Sequence, residues 1–366
     1  MCPLGRGESL IRIWKSAFWG YILWPLSILY RAGWILRNQL YRWGILSSIR
    51  LDTKVIGVGN VTVGGTGKTP CVERMSHLLR ERGCRIVVLS RGFRRKRRGS
   101  VVVSDGEKIN VNYRQAGDEP MLLAKSLSGI PVIVGKNRAK TGRLAVKNWK
   151  IDVLLLDDAF QNKQLKKDLD LVVMDSTNLW GNGRLLPAGP LREPLKGLKR
   201  ADAILLSRVN EQRVSEKDAR RIQELSGAKI FSAIHKPVHF VSIQDKKKYE
   251  LDTLRNKKGI AFAGIGNPDS FQKTLRSVGM VLIDFLVFRD HHGYQPADLK
   301  KIIQRAESQK AEVLVTTEKD HVRLPPYWNP PIPAYVLKIA FEIQKGFQEL
   351  NQLLDSVLTP QKEGGI

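Results

Sequence analysis

Short runs of apolar residues alternate with amphipathic stretches along most of the chain, beginning near residue 51. The first run, Lys54–Val58, leads into a glycine-rich turn, and Pro70–Arg82 after it has the spacing of a helix. The alternation continues through Arg85–Leu89, Pro120–Leu127, Pro131–Val134, Ile151–Leu156, Leu169–Met174 and Ala203–Leu206. Strands that alternate with helices predict an α/β fold with a doubly wound, mostly parallel sheet.

A polar stretch at Asn210–Asp218 interrupts this pattern and indicates a domain boundary. A second alternating set follows, with runs at Ile230–Ala233, Gly259–Ala263, Phe271–Val278, Val281–Val287, Leu299–Gln304 and Val313–Thr316. We therefore predict a core domain at 51–209, a second, smaller α/β domain at 210–350 and a C-terminal tail at 351–366. The last residues, Thr359–Ile366, are expected to fray.

The first 50 residues differ from the rest in composition. They hold nine of the 27 aromatic residues, and seven Lys or Arg against one acidic residue. Aromatic side chains beside arginine are typical of a membrane interface, so residues 1–50 are predicted to form an uncleaved helical segment in a membrane leaflet. A membrane span, a cleavable signal peptide and a buried helical hairpin remain alternatives. The uncharged run between Lys15 and Arg31 is shorter than the roughly 20 residues that a span needs, and Pro25 lies inside it.

The net charge narrows the class of partner. Lys and Arg number 61 against 35 Asp and Glu, which gives +26 and favours nucleic acid, an acidic membrane face or a phosphorylated substrate. The aromatic residues cluster at the N-terminus and not beside the basic run Arg94–Arg98, so a stacking surface for nucleic acid is not indicated. Three cysteines without a Cys-x-x-Cys pair exclude a disulfide framework and a zinc ribbon and favour a reducing compartment.

The strongest chemical signal is the segment VIGVGNVTVGGTGKT at 55–69, a strand followed by a glycine-rich turn and the start of a helix. The N–H groups of such a loop bind phosphate oxygens, and the helix N-terminus adds its dipole. In this pattern Lys68 reaches the terminal phosphates and the Thr69 hydroxyl binds Mg²⁺, although Thr62 stands where the strict pattern has glycine. The predicted nucleotide-binding residues are Thr62, Val63, Gly64, Gly65, Thr66, Gly67, Lys68 and Thr69.

A phosphate loop predicts a second element, an apolar strand that ends in an acidic residue near the metal ion. The segment IDVLLLDD at 151–158 has this pattern, with Asp157 and Asp158 at the carboxyl end of the strand, where ligands bind in such sheets. The alternative is a solvated turn after a buried strand. Two consecutive acids in a chain with few acidic residues favour the metal site.

Further motifs follow the glycine-rich loop in order along the chain. They are Leu89-Ser-Arg-Gly92, Gly117-Asp-Glu-Pro120, Asp157-Asp-Ala-Phe-Gln161, Asp168-Leu-Asp170, GRLLPAGPLREP at 183–194, Asp290-His-His-Gly-Tyr294 and Thr316-Thr-Glu-Lys-Asp320. In these motifs the chain resembles tetraacyldisaccharide 4′-kinase, the lipid A 4′-kinase of Gram-negative bacteria. The resemblance runs from about residue 10 to about residue 325.

The resemblance implies a membrane-associated P-loop kinase that uses ATP and Mg²⁺. Such an enzyme moves the γ-phosphate onto the 4′-hydroxyl of an acylated glucosamine disaccharide 1-phosphate. It also implies a location at the cytoplasmic face of the inner membrane and no nucleic-acid partner, and we expect a monomer.

The resemblance further implies roles for single residues. Asp118 and His291 are the expected catalytic pair beside Lys68: an imidazole oriented by the aspartate takes the hydroxyl proton, with His292 as the alternative base. The two residues lie in different predicted domains, so closure of the domains is expected to complete the base. Asp118 is expected just outside a helix capped by Glu119. The expected metal ligands are Thr69, Asp157, Asp158 and Glu193, and Glu193 has the alternative role of a loop salt bridge.

The chain departs from the family pattern at two places. The basic run Phe93–Arg98 replaces a glycine-rich stretch, and it is either a contact to lipid phosphate and acidic headgroups or a solvated loop. Ala159 and Asn162 replace a glycine and a histidine, which puts a histidine role at 162 in doubt. Two other functions remain open: a P-loop kinase or ATPase for a soluble anionic metabolite, and a basic nucleic-acid-binding ATPase.

Overall fold

The computed structural model describes residues 14 and 17–359 and divides the chain into two compact units. The first unit comprises Gly20–Ile234 and Phe341–Ile366. Up to residue 234 its elements are α1 (Ala17–Arg42), β1 (Lys54–Gly59), α2 (Lys68–Glu81), β2 (Ile86–Ser90), β3 (Val101–Ser104), α3 (Tyr113–Ala116), α4 (Asp118–Ser126), β4 (Val132–Val134), α5 (Arg138–Asn148), β5 (Val153–Asp157), β6 (Leu169–Asp175), β7 (Ala203–Ser207), α6 (Glu216–Ser226) and the first part of β8 (Lys229–Ser242).

The sheet of this unit has the strand order β8-β7-β6-β1-β5-β2-β4-β3. All neighbours are parallel except β3 and β4. Its central strands are apolar and fully buried, as strands covered by helices on both faces must be. Chain order reverses on the two sides of β1, so the carboxyl ends of β1, β5 and β6 border the crevice where ligands bind in such folds. The predicted α/β fold with a mostly parallel sheet is confirmed.

The second unit comprises Met1–Trp19, which includes the first residues of α1, and His235–Ala340, which includes the rest of β8. Its elements are β9 (Lys248–Tyr249), β10 (Lys258–Ala263), α7 (Pro268–Ser277), β11 (Val281–Val287), α8 (Pro296–Ser308), β12 (Val313–Thr317), α9 (Glu318–Arg323) and β13 (Ala334–Lys345). Strands β11, β10, β12 and β13 are parallel neighbours in that order, and β9 pairs antiparallel with β8. A core around Phe262, Ile302 and Leu314 lies on one face of the sheet.

The structure draws the boundary between the units at His235 in β8, whereas the sequence placed it at 210. Residues Lys229–Ser232 pair with β7, and Ile222 of α6 packs in a core with Val172 and Ile204. These contacts tie the segment after 210 to the first unit. Residues 351–358, predicted as tail, belong to a helix, α10 (Phe347–Leu358), which buries Leu350 and Leu354. The fraying expected of 360–366 concerns residues outside those described.

Helix α1 presents its polar and small residues to the protein and its apolar residues to the outside. Its covered side includes Gly20, Ser27 and Arg37, at helical spacing. The Ser27 hydroxyl donates to Leu185 O at 2.9 Å, and Tyr30 donates to Arg192 O at 2.7 Å. The exposed large apolar residues of α1 include Phe18, Trp19, Tyr21, Ile22, Trp24, Leu26, Ile28, Leu29, Ile35 and Leu36. The segment 17–42 is thus one continuous helix with an exposed apolar face, not the buried hairpin that was the alternative. No helix among the described residues is both long and apolar enough to cross a membrane.

Candidate active site

The carboxyl ends of the parallel strands in the first unit bring polar side chains to one edge of the sheet. β1 leads into the glycine-rich loop, and β5 ends at Asp157. The neighbouring strand β2 ends at Ser90, whose hydroxyl donates to Asp157 Oδ2 at 2.8 Å. Because these strands are parallel neighbours, segments that are distant in sequence form one site.

The glycine-rich loop turns sharply from β1 into α2. Gly67 precedes the helix with φ of 90°, a left-handed conformation that favours glycine. Gly59 permits a close approach, because a Cβ there would lie 2.4 Å from the backbone nitrogen of Phe160. Lys68 and Thr69 open α2 and are both buried. The loop, lysine and hydroxyl residue therefore have the order that a phosphate site needs.

Two other segments hold the loop from outside. Val63 N donates to Pro190 O at 2.8 Å, and Thr62 forms a β-bridge with Leu191. Ser207, the last residue of β7, donates to Thr66 O at 2.9 Å, and Arg208, which follows the strand, donates to Gly65 O at 2.8 Å. Inside the loop, the Asn60 amide donates to Thr62 O and to the Thr66 hydroxyl. These bonds fix the loop backbone and orient its N–H groups in advance of binding.

Asp157 and Asp158 differ in their partners. Asp158 Oδ1 lies 3.5 Å from Lys68 Nζ and 2.7 Å from an Arg192 guanidinium nitrogen. Asp157 Oδ2 accepts from Ser90, while its Oδ1 is buried and has no hydrogen-bond partner among the described residues. Asp157 therefore offers a buried acceptor oxygen beside the phosphate loop, whereas Asp158 is held by two cations.

The pKa values of the two carboxyls move in opposite directions. Burial, with the nearby charges of Glu119 and Asp158, raises the pKa of Asp157 to about 6. Burial alone would also raise the pKa of Asp158, but Lys68 and Arg192 more than offset it and hold that pKa well below its usual range. Asp158 is thus an anion at neutral pH. Asp157 titrates at a pH only slightly below neutral.

Glu193 is fully buried and forms an ion pair with Arg200 at 2.8 Å. Its Oε1 also accepts from the Gln161 amide at 2.9 Å, and that amide donates to Asn60 O at 2.7 Å. Both carboxylate oxygens are therefore engaged, which favours the salt-bridge alternative for Glu193 over a direct metal contact. The ion pair of Glu193 and Arg200 therefore supports the start of the glycine-rich loop, because Gln161 bonds both Glu193 and the carbonyl of Asn60.

Asp118 is the first residue of α4 and is buried. The N-cap of this helix is Gly117. The position of Pro120 predicted Glu119 as the cap, which is wrong because the helix already begins at Asp118. Asp118 Oδ1 accepts from Glu119 N at 3.1 Å. The basic run begins beside this turn, because a Cβ on Gly117 would lie 3.0 Å from Phe93 O. Arg94, Lys96, Arg97 and Arg98 are exposed.

His291 and His292 belong to the second unit and have different surroundings. His292 Nε2 lies 2.8 Å from Asp298 Oδ2, and its ring stacks on Phe288 at 4.8 Å. His291 has a φ of 62°, and its Nε2 lies 3.8 Å from Asp290 Oδ2. Asp298 and Phe288 thus hold His292 in the packing of its own unit.

Buried Asp320 organises the turn that carries the two histidines. Its Oδ1 accepts from Gly264 N at 2.8 Å, from the Tyr294 hydroxyl at 2.7 Å and from Arg323 at 2.7 Å. Gly264 O in turn accepts from His291 N at 3.1 Å. The last aspartate of the Thr316–Asp320 motif therefore positions the histidine turn.

Comparison with known proteins identifies the family. The family model described as tetraacyldisaccharide-1-P 4′-kinase (LpxK) matches residues 19–359. The curated tetraacyldisaccharide 4′-kinase of Syntrophus aciditrophicus is 42% identical over 94% of this chain and 93% of its own length. That of Anaeromyxobacter sp. strain Fw109-5 is 39% identical over 95% of this chain and 96% of its own. The chain belongs to the tetraacyldisaccharide-1-P 4′-kinase family.

A solved structure agrees with this family. The crystal structure of LpxK from Aquifex aeolicus in complex with ATP superposes with a TM-score of 0.76 at 32% identity. The match covers 93% of this chain and 99% of the Aquifex chain. The resemblance drawn from the sequence motifs is therefore confirmed along nearly the whole chain.

The two substitutions at 159 and 162 fit the fold of this LpxK-family chain. Asp158 takes the left-handed conformation with φ of 51°, whereas Ala159 does not have a positive φ, so position 159 does not need a glycine for its backbone. The Ala159 methyl is buried in a core with Leu156 and Leu165. Asn162 accepts from Gln164 N at 3.1 Å in a tight turn. Asn162 thus has a structural role here.

The structure adds residues to this LpxK-family site that the sequence did not single out. Arg208 and Ser207 hold the loop, and Arg208 also pairs with Asp175. Buried Arg138 donates to Asp157 O at 2.8 Å, and burial lowers its pKa to about 10. Arg192 pairs with Asp158. Except for Arg192, these residues lie outside the motifs, and only their position at the end of a strand or at the start of a helix could have indicated them.

Proposed function

We propose that this chain is an ATP-dependent kinase that phosphorylates the 4′-hydroxyl of a tetraacyldisaccharide 1-phosphate, a step of lipid A biosynthesis. The observation that carries the proposal is the phosphate loop with Lys68 and two aspartates at one sheet edge, in a chain that matches this kinase family over 19–359. A kinase for a soluble metabolite would not account for the exposed apolar face of α1, and a nucleic-acid ATPase does not fit the family.

The triphosphate of ATP would lie against residues 62–69. The fixed loop supplies N–H groups to the phosphate oxygens, and the α2 N-terminus adds its dipole. Lys68 is positioned to exchange part of its contact with Asp158 for the oxygens of the transferring phosphate, where its charge stabilises the transition state.

The residues present fit Mg²⁺. Asp157 Oδ1 is a buried carboxylate oxygen without a partner among the described residues, and the Thr69 side chain lies in the first turn of α2. Within the described part of the chain, no three His, Cys, Asp or Glu side chains could hold a metal by themselves. Mg²⁺ commonly uses one or two protein ligands with phosphate oxygens and water. Bound there, it would neutralise phosphate charge, with Asp158 ordering Lys68 and Arg192 nearby.

The transfer needs a base for the acceptor hydroxyl. The hydroxyl oxygen attacks the γ-phosphorus, its proton passes to the base, and the bond to the β-phosphate oxygen breaks to release ADP. We propose His291 as this base and Asp118 as the carboxylate that orients it. Support comes from the buried position of Asp118 and from the engagement of His292 with Asp298.

We also propose that α1 binds the cytoplasmic leaflet of the inner membrane and that the enzyme acts as a monomer. The apolar residues of α1 are exposed, while Ser27 and Tyr30 fasten the helix to Leu185 and Arg192. The segment 185–192 also bonds the glycine-rich loop through Pro190. A lipid held at α1 would therefore lie close to the phosphate loop.

The experiment that tests the proposed function is a transfer assay with γ-labelled ATP and a lipid disaccharide 1-phosphate in mixed micelles. Label in the lipid that requires both ATP and the acceptor is the expected result. ATP hydrolysis without label in the lipid would contradict the proposal. Stimulation of that hydrolysis by a nucleic acid or a soluble metabolite would indicate one of the alternative functions.

A further inference from the structure

We propose that Lys167, held by Asp170, is a positioning residue for the turn that carries Asp157 and Asp158. This inference rests on the proposed function and adds to it a residue that acts through the two aspartates. The motif Asp168-Leu-Asp170 spans the start of β6, and Lys167 directly precedes it in the first unit. We call Lys167 and Asp170 the buried pair.

The buried pair occupies a space that β1 leaves open. Lys167 and Asp170 form an ion pair, and their side chains are only 10% and 9% exposed. Gly57 of β1 lies opposite Asp170 in the parallel register. A Cβ on Gly57 would lie 2.7 Å from Lys167 Cδ and 2.9 Å from Asp170 Oδ1. Asp170 N donates to Asp202 Oδ2 at 2.7 Å, which fixes the backbone that carries the carboxylate. The glycine at 57 therefore makes room for the pair.

The ammonium group of Lys167 binds the backbone of the turn that follows β5. Its Nζ donates to Ala159 O at 3.0 Å and to Phe160 O at 3.5 Å. Together with the Asp170 carboxylate, these carbonyls are three acceptors. A lysine ammonium group has three donors, so the protein's own groups engage all of them. Lys167 thus holds the turn and is not arranged to bind a ligand.

Ala159 directly follows Asp158 and is bonded through both of its backbone groups. Its N–H donates to Val58 O at 3.0 Å, and its carbonyl accepts from Lys167. Asp158 has a φ of 51°, a left-handed conformation that costs energy in a residue other than glycine. Such a conformation persists only where the surrounding structure enforces it. The bond from Lys167 supplies part of that constraint, because it fixes the residue after Asp158.

The Phe160 side chain joins the turn to the same lysine. Its ring is 1% exposed and lies 5.9 Å from Lys167 Nζ and 4.5 Å from the Arg200 guanidinium. On the other side, a Cβ on Gly59 would lie 2.5 Å from Phe160 Cβ, so the turn packs closely on the end of β1. Without the ammonium group, two consecutive carbonyls lose a donor and the ring loses a cation. The aspartates before them would then be less well placed for a metal ion and for Lys68.

The test compares Lys167→Met with the matched control Lys166→Met. Methionine removes the ammonium group and keeps most of the side-chain length, and Lys166 is the exposed neighbour. For Lys167→Met, the Mg²⁺ concentration at half-maximal transfer should rise about 10–100-fold, as when an outer contact to a metal ligand is lost. The KM for the lipid acceptor should stay unchanged. Lys166→Met should match the unmodified enzyme in both quantities.

A second variant keeps the test decisive if Lys167→Met is unstable. That variant leaves the Asp170 carboxylate buried without its cation, which destabilises a fold. Lys167→Met with Asp170→Asn removes both charges. Because Asp170 acts through Lys167, the double variant should show the same rise in the Mg²⁺ requirement as the single one. A role in stability alone would lower the folded fraction and leave the half-maximal Mg²⁺ concentration unchanged, so a folded double variant with the unmodified enzyme's Mg²⁺ requirement would overturn the proposal.

A binding measurement separates this proposal from the proposed function. Equilibrium binding of ADP is followed while Mg²⁺ is titrated, for the unmodified protein, Lys166→Met and the double variant, and it needs neither an acceptor nor transfer. The double variant should need about 10–100-fold more Mg²⁺ for the same ADP binding. That shift in a protein that phosphorylates no lipid would support the positioning role and contradict the proposed function. Lipid phosphorylation with the same Mg²⁺ dependence of ADP binding in all three proteins would overturn the positioning role alone.

Discussion

Lys68 Nζ lies 3.5 Å from Asp158 Oδ1, longer than the 2.7 Å contact between Arg192 and the same oxygen. The Asp158 carboxylate is thus held mainly by Arg192. Its contact with Lys68 is longer and therefore weaker. Lys68 is also buried, at the first position of α2. The arrangement keeps an ammonium group at the phosphate loop without tying it into a tight ion pair.

Replacing Lys68 by alanine should abolish most of the transfer and leave the fold intact. The lysine acts on the charge of the transferring phosphate, and the loss is expected to be on the order of 10²–10³-fold in kcat. Asp158 keeps Arg192, so no buried carboxylate is left alone. The check is steady-state kinetics with a thermal melt, with Lys166→Gln as control. Near-normal turnover in folded Lys68→Ala would remove the phosphate-loop assignment.

Asp157→Asn should raise the Mg²⁺ concentration needed for turnover, because it weakens the buried acceptor oxygen. In the unmodified enzyme, the Mg²⁺ requirement should also rise as pH falls through about 6, since the pKa of Asp157 is raised to that value and the protonated carboxyl does not bind the metal. Titrations of Mg²⁺ at a series of pH values check both expectations.

The pH dependence of thermal stability provides an independent control for the raised pKa of Asp157. Burial penalises its charged form, so this carboxyl costs stability above pH 6, and the cost disappears as pH falls below its ordinary value of 3.8. Asp157→Asn should therefore melt higher than the unmodified protein at neutral pH, and the gain should shrink as pH falls below about 6 and vanish only below 3.8. Asp158→Asn loses its contacts with two cations and should not gain stability. Rescue of Asp158→Asn, but not Asp157→Asn, by high Mg²⁺ would reverse the proposed metal roles.

Asp118→Ala and His291→Ala should each lower kcat by about 10²–10⁴-fold with little change in the KM for ATP, as expected for a positioned base. The double variant should be scarcely worse than the poorer single one, because residues that act together are not additive. Kinetics of the four proteins provide the measurement. Multiplicative losses would show that the two residues act separately, and unchanged kcat in His291→Ala would point to His292.

Charged substitutions on the outer face of α1 should release the protein from vesicles. Tyr21 and Leu29 are 76% and 67% exposed, so Tyr21→Asp with Leu29→Asp should remove apolar contact with lipid and leave the fold unchanged. Tyr327→Asp is the matched control, since Tyr327 is 77% exposed on the second unit. Vesicle sedimentation and the KM for lipid and for ATP provide the readout. Equal sedimentation of the double variant and the control would assign membrane binding to another surface.

The parts of the site that the sequence predicted are those set by local pattern. The glycine-rich turn between Val58 and Lys68 and the acids after the apolar strand at 153–157 can be identified in short windows, because strand, turn and helix signals are local. The supporting contacts are not local. Ser207 and Arg208 reach the loop across 141 and 143 positions. No spacing rule indicates which distant residue completes such a bond.

The N-terminal helix shows a second limit of sequence patterns. Aromatic and basic composition predicted a membrane segment, but the side of α1 that contacts the protein depends on single partners. Ser27 and Tyr30 bond the carbonyls of Leu185 and Arg192, and these contacts turn the apolar face outward. The hydrophobic pattern of an ordinary globular helix would have predicted the opposite orientation.

The most direct test of the proposed kinase is the position of the transferred phosphate. The enzyme is incubated with γ-labelled ATP and either the lipid disaccharide 1-phosphate or the same lipid lacking the 4′-hydroxyl, and the product is analysed by phosphorus NMR and mass spectrometry. The account predicts one added phosphate, bonded at the 4′ position of the first acceptor, and no product from the second. Equal labelling of both lipids, or label found only in free phosphate, would contradict it.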